Sequence, residues 1–328
     1  MAQRPRHREA PLTKEFARIA WLERLFARTH ERGTVILGIG DDAAVLRPPS
    51  QPLVWTTDAC VENVHFKLNW LSAEDLGWHS YNAAVSDLAA MGARPIGALS
   101  SLALPSTIDK KIWQGIARGQ ARAAKALDCP VIGGNLTRAS EVSIHTTAIG
   151  GARRPLRRDG AKVGDEVWLV GRIGAAAAGL SVLMRVPEAK WNSAMRTCVN
   201  VWRRPKALVQ EGLGLIGKAN SAIDISDGLV GDAGHIAEAS GVSLVLDAEA
   251  IESAIPTRAK NVSSLLGCSA LDFALTGGED YALLATGKSA RRPSFARRIG
   301  IVERGQGVWL ESGQKKVRLR AGFDHFSR

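Results

Sequence analysis

Ile223-Asp224-Ile225-Ser226-Asp227-Gly228-Leu229 reads as a buried strand that stops on acids and turns straight into a helix. Ala222 to Ile225 supplies the apolar run, and Leu229 to Ala239 the helical repeat that Gly241 closes. An acidic doublet recurs upstream in Gly38-Ile39-Gly40-Asp41-Asp42-Ala43-Ala44-Val45, again after a short apolar run. Asp58 in Thr56-Thr57-Asp58 and Asp87 in Ser86-Asp87-Leu88 add isolated acids among apolar or small neighbours. A carboxylate in such a setting is costly unless something pairs with it. In a chain of formal net charge +11, acids set in the core point to divalent cations. Oxygen ligands with few candidate His and Cys partners favour magnesium over zinc, and carboxylate-held magnesium usually serves phosphate groups. Phosphoryl transfer is therefore the first chemistry to consider.

Outward from these acids, strands and helices alternate. Glu15 to Arg32 carries an amphipathic helical pattern, with Phe16, Ile19, Leu22, Leu25 and Phe26 on one side. Leu53 to Thr57 reads as a strand ending at Asp58, and Leu76 to Met91 as a helix stopped by Gly92 and Pro95. Strands at Ile96 to Leu104 and Val142 to Ile149 flank a helix from about Ile112 to Leu127. Val131-Ile132-Gly133-Gly134 reads as a buried strand ending in a tight turn. Glu166 to Gly171 is a strand before a helix through Ala175 to Met184, and Leu244 to Leu246 and Tyr281 to Ala285 add strands. The arginine-rich stretch from Gly150 to Gly164 lacks apolar periodicity and makes the best linker. The expectation is an α/β (α+β) chain in two parts, 1–149 and 150–328.

A chain of 328 residues is long enough for two ordinary domains with substantial cores. Its 45% apolar and 23% charged residues are those of a soluble globular protein. No apolar run approaches the roughly 18 residues of a membrane helix. The basic stretch Met1 to Lys14 lacks the apolar segment of a secretory signal and reads as a short arm. Cys60, Cys129, Cys198 and Cys268 lie far apart with no C-x-x-C pair, which argues against a zinc or redox site and fits a reducing cytoplasm. The pI near 9.9 reflects arginines clustered at Arg153, Arg154, Arg157 and Arg158, and at Arg291, Arg292, Arg297 and Arg298. Solvated surface charge is the plainer reading. With aromatics at only 5% and none interleaved, a nucleic-acid stacking surface is poorly supported.

Each acid also has a plainer reading. Asp41 and Asp42 suit a turn or a helix N-cap, but the second doublet and Asp58 shift the weight to metal binding. Asp87 would fit an exposed helix face, except that its helix is apolar nearly all round. Asp224 and Asp227 would hold cations while Ser226 or neighbouring N–H groups touch a phosphate; an N-cap is the rival reading. Gly277-Gly278-Glu279-Asp280-Tyr281 sets acids on a double-glycine turn before a strand. His65, near Asp58, contacts a substrate or is structural. The chain has no G-x-x-x-x-G-K-[ST] and no H-R-D with D-F-G. Gly171 to Gly179 misses the G-x-G-x-x-G spacing and reads as a turn with small residues for close packing. Phosphates must then be neutralised mainly through metals.

Taken in order, these segments resemble the thiamine-monophosphate kinase family, in the superfamily of aminoimidazole ribonucleotide synthetase. The likeness rests on Gly38 to Ala44, Thr56-Thr57-Asp58, Val64-His65-Phe66, Ser86 to Ala93, Gly133-Gly134, and Arg158 with Gly160-Ala161-Lys162. It continues through Ile223 to Leu229, Gly277 to Tyr281 and the closing Gly322-Phe323-Asp324-His325-Phe326, and so spans nearly the whole chain. The resemblance implies a two-domain fold: an N-terminal sheet with helices on one face, and a C-terminal α/β domain. The first would bind ATP and metal and dimerise; the second would complete the active site. It implies ATP-dependent phosphorylation of thiamine monophosphate to thiamine diphosphate, with Mg2+, in a cytoplasmic homodimer. Metal positions would be Asp42, Thr56, Thr57, Asp58, Asp87, Asn135, Asp224 and Asp227, with Asp42, Asp87, Asp224 and Asp227 carrying the catalysis. Gly134, Asn135, Arg158 and Ser226 would face ATP, and His65, Glu279 and Phe323 the thiamine moiety. Two departures stand out. The family's G-G-D-T reads Gly134-Asn135-Leu136-Thr137, an amide in place of a carboxylate ligand, so one magnesium should bind more weakly. The usual E-G-V-H-F reads Glu62-Asn63-Val64-His65-Phe66, a mild change because Asn tolerates the left-handed conformation.

A phosphate monoester acceptor has a second pKa of about 6 and is already nucleophilic at neutral pH. No strong general base is then needed; the difficulty is bringing two polyanions together. Among rivals, selenophosphate synthetase would want a reactive Cys before Cys60, and the hydrogenase-maturation relative a Cys-bearing tail. Aminoimidazole ribonucleotide synthetase remains an enzyme alternative. A catalytically impaired nucleotide-binding scaffold, flagged by Asn135, is the alternative from another class.

Overall fold

The computed structural model describes residues 14–27, 34–39 and 42–319. The basic arm, Gly40, Asp41 and the closing segment with Phe323 lie outside the described residues. Ten helices run α1 (Lys14–Phe26), α2 (Ala73–Ala90), α3 (Lys110–Leu127), α4 (Ala175–Arg185), α5 (Ser193–Arg203), α6 (Val209–Leu215), α7 (Leu229–Ser240), α8 (Ala248–Ala254), α9 (Thr257–Leu265) and α10 (Ala270–Thr276) among the described residues. The strands are β1 (Val35–Leu37), β2 (Val45–Leu46), β3 (Leu53–Val61), β4 (Arg94–Leu104), β5 (Val131–Arg138), β6 (Ser143–Gly151), β7 (Glu166–Val170), β8 (Ser221–Ile225), β9 (Ser243–Asp247), β10 (Ala282–Gly287), β11 (Ala296–Glu303), β12 (Gly307–Ser312) and β13 (Lys315–Leu319).

Strands β1 and β2 form a separate antiparallel pair, and two larger sheets divide the rest. A four-stranded sheet of order β3-β6-β4-β5 lies wholly before residue 152, and a seven-stranded sheet of order β13-β12-β9-β11-β7-β10-β8 lies wholly after residue 165. Helices α2 and α3 pack side by side on one face of the first sheet. Val85, Leu88 and Ala89 of α2 share a core with Val54 and Ala98 of the first sheet and with Trp168, Leu283 and Ala285 of the second. One helix is thus gripped between both sheets, which explains why its sequence is apolar nearly all round. Ser72 caps its start by accepting the Asp75 N–H, and Gly92, at φ 60°, ends it.

Two local expectations are corrected. Asp58 does not end its strand: β3 continues to Val61, pairing Asp58 with Thr146 in mid-sheet. Gly133-Gly134 makes no turn either, because β5 runs through it alongside β4. Gly134 is required for another reason: a Cβ there would fall on the Ser100 carbonyl of the neighbouring strand. Helix α1 reaches Phe26, and the rest of its expected span lies outside the described residues. The stretch from Gly171 to Gly179 is the close-packing turn it reads as, since a Cβ on Gly179 would strike the backbone of Cys198 in α5.

Candidate active site

The antiparallel register of the second sheet builds one side of the site. Ala282 of β10 pairs with Ile225 of β8, so the loop leaving β8 and the loop entering β10 meet at the same end. They are tied there by Glu279 N–H to the Ser226 carbonyl at 2.8 Å and Tyr281 N–H to the Ile225 carbonyl at 2.9 Å. Glu279 and Tyr281 are left-handed at φ 65° and 49°, a conformation that costs a non-glycine residue roughly 1–2 kcal/mol. Such strain, held by the surrounding hydrogen bonds, is commonly found at functional sites.

The other side comes from α2 and β3. Ser86 donates from Oγ to Asp224 Oδ2 at 2.8 Å, and Thr56 donates from Oγ1 to the Asp87 carboxylate. Consecutive residues of α2 therefore reach acids or their partners on both sheets. Asp224 is only 4% exposed. Burial first, and then the Asp87 charge, push its pKa up to about 7. Burial also raises Asp58, with the nearby charges of Asp87 and Asp227 adding to it. Asp87 is raised by burial and eased by the Thr56 hydroxyl and the Arg158 guanidinium. Asp58, Asp87, Asp224 and Asp227 thus converge, with Arg158 as the cation beside them.

Neither Ser226 nor Asp227 caps α7, whose N-cap is Gly228. The capping falls to Asp232, an acid the sequence reading missed. Buried within the first turn of α7, it accepts the N–H groups of Ser226 at 3.1 Å and Asp227 at 3.2 Å. Burial and the neighbouring Asp227 charge lift it to about 7. An acid in the first turn of a helix that starts on glycine was the available signal. Asp280 acts similarly in trans: it accepts the Gly174 and Ala176 N–H groups at 2.6 and 3.1 Å, capping α4. Burial raises it to about 7.

His65 sits in the tight turn after β3, where its Nδ1 accepts the Val61 N–H at 3.1 Å. Asn63 takes the left-handed conformation, φ 64°. Glu279 is lifted to about 8, chiefly by burial. Its neighbours His79 and Trp202 were not singled out in the sequence.

Strand alternation separates the remaining positions. Asp58, Thr146, Ser100 and Gly134 lie in one cross-strand row facing the helices. Ser100 bonds Gln120 of α3 there at 2.9 Å. Thr57 and Asn135 fall in the adjoining rows and point to the opposite, open face, where Thr57 meets Thr147 at 3.1 Å. Within one chain they do not join the acid cluster. Asp42 is exposed on the segment before β2. Of the arginine clusters, Arg292 and Arg298 flank Glu166 at 3.3 and 4.0 Å. Arg153 and Arg154 line a cavity of about 460 Å³ that contains none of the candidate site residues.

The fold and site define an α/β protein whose buried carboxylates meet between its two large sheets. Family models of the AIR synthase related protein match this chain, the N-terminal domain over residues 40–152 and the C-terminal domain over residues 162–308. The thiamine-monophosphate kinase of Aquifex aeolicus is 35% identical over 290 residues, covering 88% of this chain and 92% of that protein. The crystal structure of thiamine-monophosphate kinase from Stenotrophomonas maltophilia K279a superposes with a TM-score of 0.81 at 35% identity, over 89% of this chain and 96% of that one. A structure described as AaThiL complexed with AMPPCP and TMP gives a TM-score of 0.77 at 33% identity, over 93% and 96% of the two chains. The chain belongs to the AIR synthase related family and, within it, to the thiamine-monophosphate kinases.

Proposed function

We propose that the chain is an ATP-dependent kinase that transfers the γ-phosphoryl group of ATP to thiamine monophosphate, giving thiamine diphosphate. The single observation that carries this reading is the convergence of Asp58, Asp87, Asp224 and Asp227 between the two sheets, several of them raised by burial and mutual repulsion. The kinase relatives, one of them in complex with AMPPCP and TMP, support it.

The donor set suits a hard divalent cation: carboxylate oxygens that repel one another, and the Thr56 hydroxyl. Among the described residues no three His, Cys, Asp or Glu side chains form a ready-made metal cage. Magnesium fits that pattern, since it is usually held by one or two carboxylates together with substrate phosphates. When bound, it would supply charge neutralisation between the two phosphate-bearing reactants. Asp87 and Asp224 would hold it, Arg158 would attract phosphate oxygens, and the backbone around Ser226 would orient them. The acceptor phosphate needs no deprotonation, so catalysis rests on alignment and electrostatics.

In this reading residues 1–149 bind ATP and metal and form the dimer, while 150–328 complete the site. The open face of the first sheet supports a homodimer: Leu53, Trp55 and Leu99 are exposed on it, Trp55 at 64%. Trp55→Glu is expected to convert the protein from dimer to monomer by light scattering coupled to size exclusion; a variant that elutes as a dimer removes that surface. We assign the protein to the cytoplasm on its four free cysteines, three of them buried. No helix among the described residues is long and apolar enough to cross a membrane. The arginines engaged by Glu166 support surface charge over nucleic-acid binding.

The deciding experiment incubates the purified chain with ATP, magnesium and thiamine monophosphate and follows thiamine diphosphate. Product that depends on all three supports the kinase. ATP binding without turnover supports the scaffold alternative, for which Asn135 is the motivating residue.

A further inference from the structure

Behind Glu279 lies a buried polar cluster with no part in the mechanism above. His79 of α2, 5% exposed, places Nδ1 at 2.9 Å from the Trp202 carbonyl. A carbonyl only accepts, so Nδ1 carries the ring proton and Nε2 presents a lone pair. That Nε2 faces Glu279 Oε2 at 3.7 Å, beyond hydrogen-bond length. Glu279 Oε2 and the Trp202 indole Nε1 are both sealed from water and make no hydrogen bond of good geometry, although the indole N–H lies near enough to the Glu279 carboxyl to offset part of the rise that burial causes. Two lone pairs facing each other away from water repel unless a proton lies between them, and each unsatisfied buried polar group costs roughly 1–3 kcal/mol. The Glu279 side chain is nonetheless 24% exposed, and with Oε2 sealed that exposure belongs to its remaining atoms. Burial supports a neutral pair, lowering His79 to about 4 and raising Glu279 to about 8.

We propose that His79 is a positioning residue: its Nε2 lone pair draws the Glu279 carboxyl proton inward, so the outer carboxyl oxygen meets the substrate only as an acceptor. An outward acceptor selects a ring bearing an amino donor, such as an aminopyrimidine, over the corresponding oxo ring. The inference rests on the reading of Glu279 as facing thiamine monophosphate. It adds to that reading the cause of a preference between otherwise isosteric rings. The Trp202 indole N–H, close enough to the same carboxyl to act on its pKa, restrains the carboxyl without taking the proton that His79 draws.

The test compares wild type, His79→Phe and His79→Gln with thiamine monophosphate and with its analogue carrying an oxo group in place of the pyrimidine amino group. His79→Phe is expected to raise the KM for thiamine monophosphate about tenfold, the worth of one hydrogen bond. It should leave kcat within about threefold and the KM for ATP unchanged, and reduce the amino-over-oxo preference about tenfold. His79→Gln, whose side-chain carbonyl can accept the same proton, should restore the preference. A folded His79→Phe with undiminished preference, or with both KM values raised equally, overturns the proposal. Long-range nitrogen–proton NMR on the wild type gives a readout that needs no variant to fold. A neutral Nδ1–H tautomer for His79 is expected, and an Nε2–H tautomer or an imidazolium near neutral pH overturns it. Failure of the kinase reading is distinguishable. Absence of turnover with a His79-dependent preference in equilibrium binding rejects the kinase and keeps the inference. Turnover without that preference does the reverse.

Discussion

Asp224→Asn is expected to lower kcat by a factor of at least about 10²–10³ while making the metal-free protein more stable above pH 7, not less. The two effects have one cause. Asp224 is nearly sealed, and burial together with the Asp87 charge raises its pKa to about 7. Its folded pKa therefore lies above the unfolded value of 3.8, so the stability it contributes is complete below that value and is lost as pH rises through 7. At pH 8 the wild type must carry an ionised acid beside Asp87, with the Ser86 hydroxyl as its side-chain hydrogen-bond donor. Asparagine is isosteric, still accepts that hydroxyl through Oδ1 and cannot ionise, so about 1 kcal/mol of stability at pH 8 is a reasonable expectation. Removing the charge also removes what would hold a cation against a phosphate. Steady-state kinetics and urea unfolding at pH 8 read both consequences. Near-normal turnover would remove Asp224 from the site, and lost stability together with lost activity would make its role structural.

The sequence carried the fold to the extent that each element kept its own period. Helix α2 was legible because apolar residues crowd all its faces, and the structure grips it between two sheets. Strand β8 was legible because Ala222 to Ile225 is buried on both sides. Strand β5 was misread at Gly133-Gly134 because double glycine also marks turns; the actual demand, an approach to the Ser100 carbonyl, is non-local. The acid cluster could be nominated from isolated carboxylates in apolar stretches, since their cost is a local fact. Which acids meet was not legible. Asp58 and Thr57 are adjacent in sequence, yet pleating sends one toward the helices and the other to the open face. Asp232 went unassigned although its work is local, on N–H groups at the start of its own helix, whereas Asp280 caps a distant segment that the sequence does not place beside it. His79 and Trp202 likewise gain meaning only where two distant helices bring them to Glu279.

The metal-free protein is expected to lose thermal stability as pH rises from about 6.5 to 8.5, and magnesium with a non-hydrolysable ATP analogue should restore more of it at pH 8 than at pH 6. Asp224, Asp232 and Asp280 are each lifted to about 7 and Glu279 to about 8, in every case chiefly by burial. Folded values above unfolded ones mean that the folded state holds more protons across this window, so stability falls with rising pH. His79 works in the opposite sense: its folded value of about 4 lies below 6.5, so its contribution is present above 6.5 and lost as pH falls toward 4. Below 6.5 the two trends oppose each other; above it only the acids remain, and the decline is steepest there. Summed over four acids it should reach about 3 kcal/mol, or roughly 5–10 °C in Tm. Cation binding requires ionised carboxylates, so protons and magnesium compete, and a ligand that binds only the folded state raises Tm most where that competition is weakest. Glu279→Gln should flatten the upper part of the curve, between about pH 7 and 8, because the group titrating highest is gone. Differential scanning fluorimetry across pH, with and without magnesium and the analogue, measures all three effects. A pH profile that is flat or rising in the metal-free protein would mean that burial does not hold these acids protonated, and a magnesium-dependent shift equal at pH 6 and 8 would mean that Asp224 is not among the groups that hold the cation.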